Sequence, residues 1–325
     1  MKLEGIHHVT CITGDAPRNL DFYARVLGLR LVKKTVNQDD PTVYHLFYAD
    51  DAGSPGADLT FFEYPGAREG RAGAGMVHTV VFRVGGEAAL GFWEARLAAE
   101  GVATERRHGP AGARGALAFA DPEGLALELA VVETPDAPLT AEHAGIPAEH
   151  RIQGFDSVRA YARRPEQSRR FLEEALGFAP LDPADPAAAG TVAGAEAAWE
   201  VRGGQRGGRY AFDPAPDEPG IGGSGTVHHV AWSTTMDEHE AWQERVARAG
   251  ARPTPVIDRF WFRSVYFREP SGVLFELATM GPGFAVDEDP AHLGESLVLP
   301  PAFEPLRARI EPALTPLPDP RTLRA

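Results

Sequence analysis

Hydrophobic positions along this chain change period in a fixed order, and the order recurs four times. An alternating stretch is followed by apolar residues three and four apart, then by further alternating or wholly apolar stretches. In the first copy, Ile6–Thr13 alternates as a strand. Gly14-Asp15-Ala16-Pro17 then breaks it, with Asp15 suited to cap a helix and Pro17 to its first turn. Leu20, Tyr23 and Leu27 recur at helical spacing until Gly28, and strands are predicted over residues 30–35, 42–48 and 58–64. The second copy starts at Met76-Val77-His78-Thr79, has a helix carrying Leu90, Trp93 and Leu97, and closes with residues 116–120 and 125–131 around the turn Asp121-Pro122-Glu123-Gly124. The third starts at Phe155-Asp156-Ser157-Val158, with a helix ending at Leu176-Gly177-Phe178, as the first ends at Leu27-Gly28-Leu29. Weaker strands follow near residues 198–202 and 208–212. The fourth opens at Val227, has a helix with Trp242, Val246 and Ala249, and ends in residues 262–267 and 273–279 around Glu269-Pro270-Ser271-Gly272.

Each copy reads as a βαβββ module. One such sheet cannot bury its own concave face, but two side by side make a curved sheet around a cavity. Four modules therefore predict an α+β fold with two curved-sheet cups. The expected organisation is modules one and two in residues 1–132, a linker over 133–152, modules three and four in 153–283, and a tail over 284–325 that wraps the body. The tail, rich in proline and acids, is expected to be mostly loop, with one short helix near residues 305–310.

Two of the opening strands carry a histidine pair, His7-His8 and His228-His229. By alternation His8 and Thr10 share one face of their strand, and His7 the other. In the last strand Glu276 interrupts a largely apolar run, where a carboxylate is costly to bury without a positive partner. A divalent cation is such a partner. One imidazole from each pair plus one carboxylate leaves open positions on an ion, an arrangement that suits ferrous iron binding both a substrate and dioxygen, with manganese a geometric substitute. A single strand histidine is ordinarily just hydrogen-bonded, and Glu276 alone could pair with Arg263 or Arg268. The other modules act as internal controls. Module two has Thr79 and module three Ser157 at the second-histidine position, and Glu128 in module two lacks a matching histidine set. Only modules one and four hold a complete donor set. His78, His108, His143, His150 and His239 join no constellation, and His45 reads as structural.

Composition narrows the setting. The net charge is −14, with no lysine- or arginine-rich run to meet phosphate backbones, so nucleic acid is not an expected partner. Cys11 is the single cysteine, which excludes an internal disulfide and fits a reducing compartment. There is no signal-peptide pattern and no run of the ~20 apolar residues a membrane helix needs. The expectation is a cytoplasmic protein, with a homo-oligomer compatible.

The histidine and glutamate strands within such repeats resemble the vicinal oxygen chelate superfamily, which includes glyoxalase I and extradiol dioxygenases. More narrowly, Ile6-His7-His8-Val9-Thr10, Tyr44-His45-Leu46-Phe47-Tyr48-Ala49-Asp50 with Gly53-Ser54-Pro55-Gly56, Val227-His228-His229, the stretch from Arg259 to Glu276, and Asp287-Glu288-Asp289-Pro290 resemble bacterial hydroquinone-type ring-cleaving dioxygenases. The resemblance covers nearly the whole chain. It implies metal ligands at His8, His229 and Glu276, with module one packed against module four and two against three. It implies Fe(II)-dependent opening of a hydroquinone or related aromatic diol by O2, as in aromatic degradation. Tyr266 and Arg259 fall at positions used near the substrate, and Thr10 shares the face of His8. Alternation turns His7 and His228 away from the ion, whereas the resemblance implies supporting roles for them, His228 foremost. Two other functions fit the fold: a glyoxalase-like isomerase or lyase using Zn or Ni, and a non-catalytic small-molecule-binding resistance protein. The isomerase ordinarily takes a second carboxylate from the first half-site, where only Glu63 is on offer.

Overall fold

The computed structural model describes residues 1–107, 115–185 and 190–324, so His108 lies outside the described residues. Module one comprises β1 (Ile6–Thr13), α1 (Ala16–Leu20), β2 (Arg30–Asn37), β3 (Asp40–Ala49) and β4 (Asp58–Glu63). Module two comprises β5 (Met76–Val84), α2 (Glu87–Ala99), β6 (Thr104–Arg107), β7 (Ala116–Ala120) and β8 (Ala126–Val131). Module three has β9 (Phe155–Ala162), α3 (Glu166–Arg170), β10 (Ala179–Leu181), β11 (Ala197–Arg202) and β12 (Gly207–Pro214). Module four has β13 (Thr226–Thr234), α4 (His239–Arg248), β14 (Ile257–Asp258), β15 (Arg263–Arg268) and β16 (Leu274–Thr279).

The capping read from the sequence is present: the Asp15 carboxylate accepts from the Arg18 amide at 3.0 Å, and Pro17 sits in the first turn of α1. The helix does not run regularly to Gly28. Its second half widens over Asp21–Val26, so that Leu27 N–H reaches the Phe22 carbonyl. Module three repeats this over Phe171–Ala175, with Leu176 reaching Phe171. Both segments stop at a left-handed glycine, Gly28 (φ 71°) and Gly177 (φ 76°).

The strands form two eight-stranded curved sheets, β14-β15-β16-β13-β1-β4-β3-β2 and β10-β11-β12-β9-β5-β8-β7-β6. This is the α+β arrangement expected, and the pairing is module one with module four and module two with module three. Each cup therefore takes one module from either side of the linker. The antiparallel ladders β1–β13 and β5–β9 are the seams.

Alternation assigns the faces. Val230 and Trp232 on β13 and Phe275 and Leu277 on β16 turn away from the cup and are buried between the sheets. There Trp232 meets Phe178 at 4.8 Å and Phe275 meets Tyr210 at 5.2 Å between ring centroids. Each such side chain contributes roughly 1.5–3 kcal/mol by leaving water. Turns tie the sheets across: Glu123 accepts from Thr13 Oγ1 and the Gly14 amide, and Tyr23 donates to Asp121 at 3.0 Å. The tail consists of short helical turns, with Arg307–Ile310 helical. It touches the body through Lys33, which is fully buried against Asp287 and Glu288, and through Thr315 on Glu63.

Gly225 leads into β13 with φ 75°, and a Cβ there would lie 2.0 Å from the Glu123 carbonyl oxygen. Gly225→Ala is expected to destabilise the protein by roughly 2 kcal/mol or more, measured by denaturant unfolding. Gly222→Ala, which meets nothing within 4 Å, should change stability by less than about 0.5 kcal/mol.

Candidate metal centre

The centre sits on the seam of the first cup. His8 comes from β1, His229 from β13 and Glu276 from β16, and one donor atom of each lies within 4.8 Å of the others. All three are buried, with Glu276 at 0% exposure. Glu276 Oε2 is 2.9 Å from His229 Nε2 and 3.1 Å from His8 Nε2, and the two Nε2 atoms are 3.3 Å apart. Neither oxygen of Glu276 takes an aligned hydrogen bond. Three donors thus converge on one point and leave both Glu276 oxygens unsatisfied, as a cation-binding set does. Burial alone would raise the Glu276 carboxyl, but the facing His8 and His229 outweigh it and hold it well below the usual carboxylate range. Arg263 and Arg268, the alternative partners, make no ion pair with it among the described residues.

Strict alternation fails at the histidine pairs, and the ladder shows why. Pairing along β1–β13 steps from Ile6–Trp232 to His8–Ala231, leaving out His7, and from Thr10–His229 to Cys11–Val227, leaving out His228. Each pair is a β-bulge, which turns two consecutive side chains towards the same region. His7 Nδ1 lies 2.9 Å from His8 Nδ1, and His228 Nδ1 lies 2.8 Å from His229 Nδ1. For Nε2 of His8 to present a lone pair inward, its Nδ1 must carry the proton and donate to His7. His7 then donates Nε2–H to the Thr279 carbonyl at 3.1 Å. Both outer histidines are held neutral: burial, then the neighbouring His8, lowers His7 to about 3, and burial, then His229, lowers His228 to about 4. His7 is enclosed, whereas His228 is only partly covered and keeps contact with solvent.

The second cup carries the same two bulges, at His78 and Asp156. Thr79 and Ser157 stand in the ligand-histidine places, and Glu128 is neutralised by Arg107 at 2.8 Å. Arg159 and His78 both bind Asp213. Guanidinium groups occupy the second cup where the first converges lone pairs.

Register also settles where a fourth protein donor would come from. On β13–β16, Glu276 pairs with Ala231, two residues beyond His229; on β1–β4, Thr60 pairs with Thr10, two residues beyond His8. Thr60 is therefore the counterpart of Glu276. Glu63 is directed elsewhere, accepting from the Ala16 amide and Thr315.

A cavity of about 30 Å³ opens beside His8 and His229, walled by Phe47, Phe62, Trp261, Phe262, Tyr266 and His45. Arg259 also lines it and makes bidentate bonds to Asp39 at 2.9 and 3.1 Å, bridging modules four and one. The Tyr266 ring lies 5.5 Å from His229. Burial and the Glu276 charge push its hydroxyl above the ordinary tyrosine range. Thr10 does not reach the cavity: it is fully buried and bonds Thr60 at 2.8 Å, which in turn bonds His45 Nε2 at 2.9 Å. Asn37, Gln38, Asp39 and Phe62 are wall residues that sequence reasoning did not single out, and His45, read there as structural, is a wall residue too. His45 lies within the Tyr44-to-Asp50 motif, which was the available signal. His143, His150 and His239 lie away from the centre, His239 on the Leu277 carbonyl.

Residues 5–129 and 154–277 match the family described as the Glyoxalase/Bleomycin resistance protein/Dioxygenase superfamily. A Bacillus subtilis protein described as "Putative ring-cleaving dioxygenase MhqA" is 40% identical over 98% of this chain and 100% of its own. A chlorohydroquinone/hydroquinone 1,2-dioxygenase of Sphingobium indicum is 31% identical over 93% of each chain. A crystal structure of a "putative dioxygenase" from Bacillus subtilis superposes with a TM-score of 0.86 at 38% identity, over 98% of both chains. Maize glyoxalase I shares the fold, with a TM-score of 0.59 at 16% identity over 85% of this chain and 92% of its own.

Glu276→Gln is expected to weaken divalent-metal binding by about 100-fold or more, since it removes the anionic member of the His8, His229 and Glu276 set. Glu63→Gln should leave metal affinity within about twofold. Metal content after dialysis against graded chelator distinguishes the two.

Proposed function

This chain belongs to the glyoxalase/bleomycin resistance protein/dioxygenase superfamily, and we propose that it is an Fe(II)-dependent dioxygenase that opens the ring of a hydroquinone or related aromatic diol with O2. The observation that supports this most is the pairing of a two-imidazole, one-carboxylate donor set with an aromatic-walled cavity that has Thr60 where a second carboxylate would stand. Iron held by His8, His229 and Glu276 would supply adjacent open positions for a substrate oxygen and O2 and the electron exchange between them. Manganese fits the same donors.

The chain's own groups then have separable tasks. His7 and His228 fix the tautomers of His8 and His229 by accepting their Nδ1 protons. Tyr266 keeps its proton through neutral pH and donates from Oη to an oxygen anion, while the Arg259 guanidinium, 5.6 Å from the Tyr266 ring, adds positive charge. Phe47, Phe62 and Phe262 stack on the ring and exclude water. The Arg259–Asp39 bridge joins modules four and one at the edge of this cavity.

The relatives' names support the same reading. The isomerase is not favoured, because the register gives its second carboxylate position to Thr60. A purely sequestering protein leaves the convergent donors of Glu276, His8 and His229 without a purpose.

The Fe(II)-loaded protein should consume one O2 per hydroquinone and place both oxygen atoms from ¹⁸O2 in a ring-opened product. An oxygen electrode and mass spectrometry read this. A protein that consumes no O2 with any hydroquinone or catechol contradicts the reading.

A further inference from the structure

We propose that His45 binds the substrate hydroxyl that the metal does not take, and so determines preference for a ring bearing two oxygens. The inference rests on the ring-cleaving reading above and assigns a part of the cup that reading leaves idle.

The two modules of the first cup are related position by position. Tyr266 pairs with Glu276 on β15–β16, and Phe47 pairs with Thr60 on β3–β4. Module four thus supplies ligand, carboxylate and hydroxyl, whereas module one has Thr60 and Phe47 in the last two places. Polarity in the module-one wall comes instead from the next pleat of β3. His45 pairs with Phe62, one alternation along from Phe47, and its ring is held between Phe47 at 3.9 Å and Phe62 at 4.4 Å. A flat imidazole fixed between two aromatic faces cannot swing without losing both contacts.

Its two nitrogens are used unequally. Nε2 is bonded to Thr60 Oγ1, itself bonded to Thr10 Oγ1, and the hydroxyl pair ends there. Nδ1 has no hydrogen-bond partner among the described residues, and it is not among the buried atoms left without one, so it opens on the cavity that His45 walls. The other polar groups on this side are tied to the rim: Asn37 to the Asp39 amide, Gln38 to the Arg259 carbonyl and Asp39 to the Arg259 guanidinium.

Two rotatable hydroxyls in series let Nε2 either donate to Thr60 or accept from it. Nδ1 is correspondingly an acceptor for a phenol or a donor to a phenolate. Burial, followed by the charges of His8 and His229, keeps the imidazole neutral, so both tautomers stay accessible. Thr10, which shares the face of His8 but is sealed from the cavity, gains a role here: it anchors Thr60 behind His45. A substrate oxygen on the metal places the ring against Phe47 and Phe62, and a second hydroxyl across that ring then faces module one rather than Tyr266. Among the described residues, His45 Nδ1 is a neutral nitrogen on that wall with no protein partner.

The test is anaerobic equilibrium binding of hydroquinone and of phenol, which lacks the second hydroxyl, to the Fe(II)-loaded protein. The unaltered protein is expected to bind hydroquinone about tenfold more tightly than phenol. His45→Phe keeps the aromatic stack and all three candidate ligands. It should hold phenol affinity and iron content within about twofold while abolishing the hydroquinone advantage. His45→Gln, which restores a polar group, should recover part of that advantage, and Thr60→Val should reduce it by about threefold. Retention of the full advantage by His45→Phe overturns the proposal. So does equal loss of both ligands, or of iron, by His45→Phe and His45→Gln together, since that is what a structural role predicts. Equal binding of the two ligands by the unaltered protein overturns the assignment of His45 alone. An unaltered protein that binds neither phenol overturns the ring-cleaving reading and this inference with it.

Discussion

A carboxylate with no solvent exposure, facing two imidazoles across a strand seam, is the constraint on which the first cup depends. Glu276 is enclosed by the sheet, and neither of its oxygens is satisfied by an aligned hydrogen bond. An unpaired ion in such a place costs several kcal/mol. The fold tolerates it because His8 and His229 stand opposite, and they stand opposite because β1 and β13 pair across the 212 residues between Thr13 and Thr226. The bulges at His7 and His228 lie on the same seam. They bring an outer histidine alongside each inner one, fixing which nitrogen faces inward.

The second cup shows what the same framework does without that requirement. Its ladder has bulges at the corresponding places, and Glu128 occupies the place of Glu276. There the carboxylate is met by Arg107, and Arg159 spans to Asp213. Both cups neutralise a buried acid on the last strand of a module. One does so with a guanidinium from its own sheet, which leaves nothing to coordinate. The other leaves lone pairs converging and an aromatic chamber beside them.

Much of this was legible in the sequence. The four modules, their helices and the shared turns at Asp121 and Glu269 came from periodicity, because each module buries one face and shows the other. The edge strands β6, β10 and β14 were missed: Thr104-Glu105-Arg106-Arg107, for example, is charged at three of four positions, and edge strands need no apolar alternation. The widened helix ends were also invisible, since Leu20, Tyr23 and Leu27 fit ordinary helical spacing equally well. Within the site, the converging residues are those that interrupt apolar strands, which is a visible signal. The bulges were not visible, because an extra residue in a ladder is a property of two strands and not of one. His45 was read as structural for a related reason. Its partner Thr60 and its neighbours Phe47 and Phe62 are assembled by pairing registers that no single stretch of sequence displays.

The central claim is that modules one and four jointly hold one metal ion. X-ray absorption at the iron edge, on protein loaded anaerobically with Fe(II) and quantified for metal, addresses it most directly. The account predicts one iron per chain, with the scattering of two imidazoles and one carboxylate and the remaining positions filled by light solvent atoms. Two irons per chain, or a single iron with fewer than two imidazoles, would contradict it.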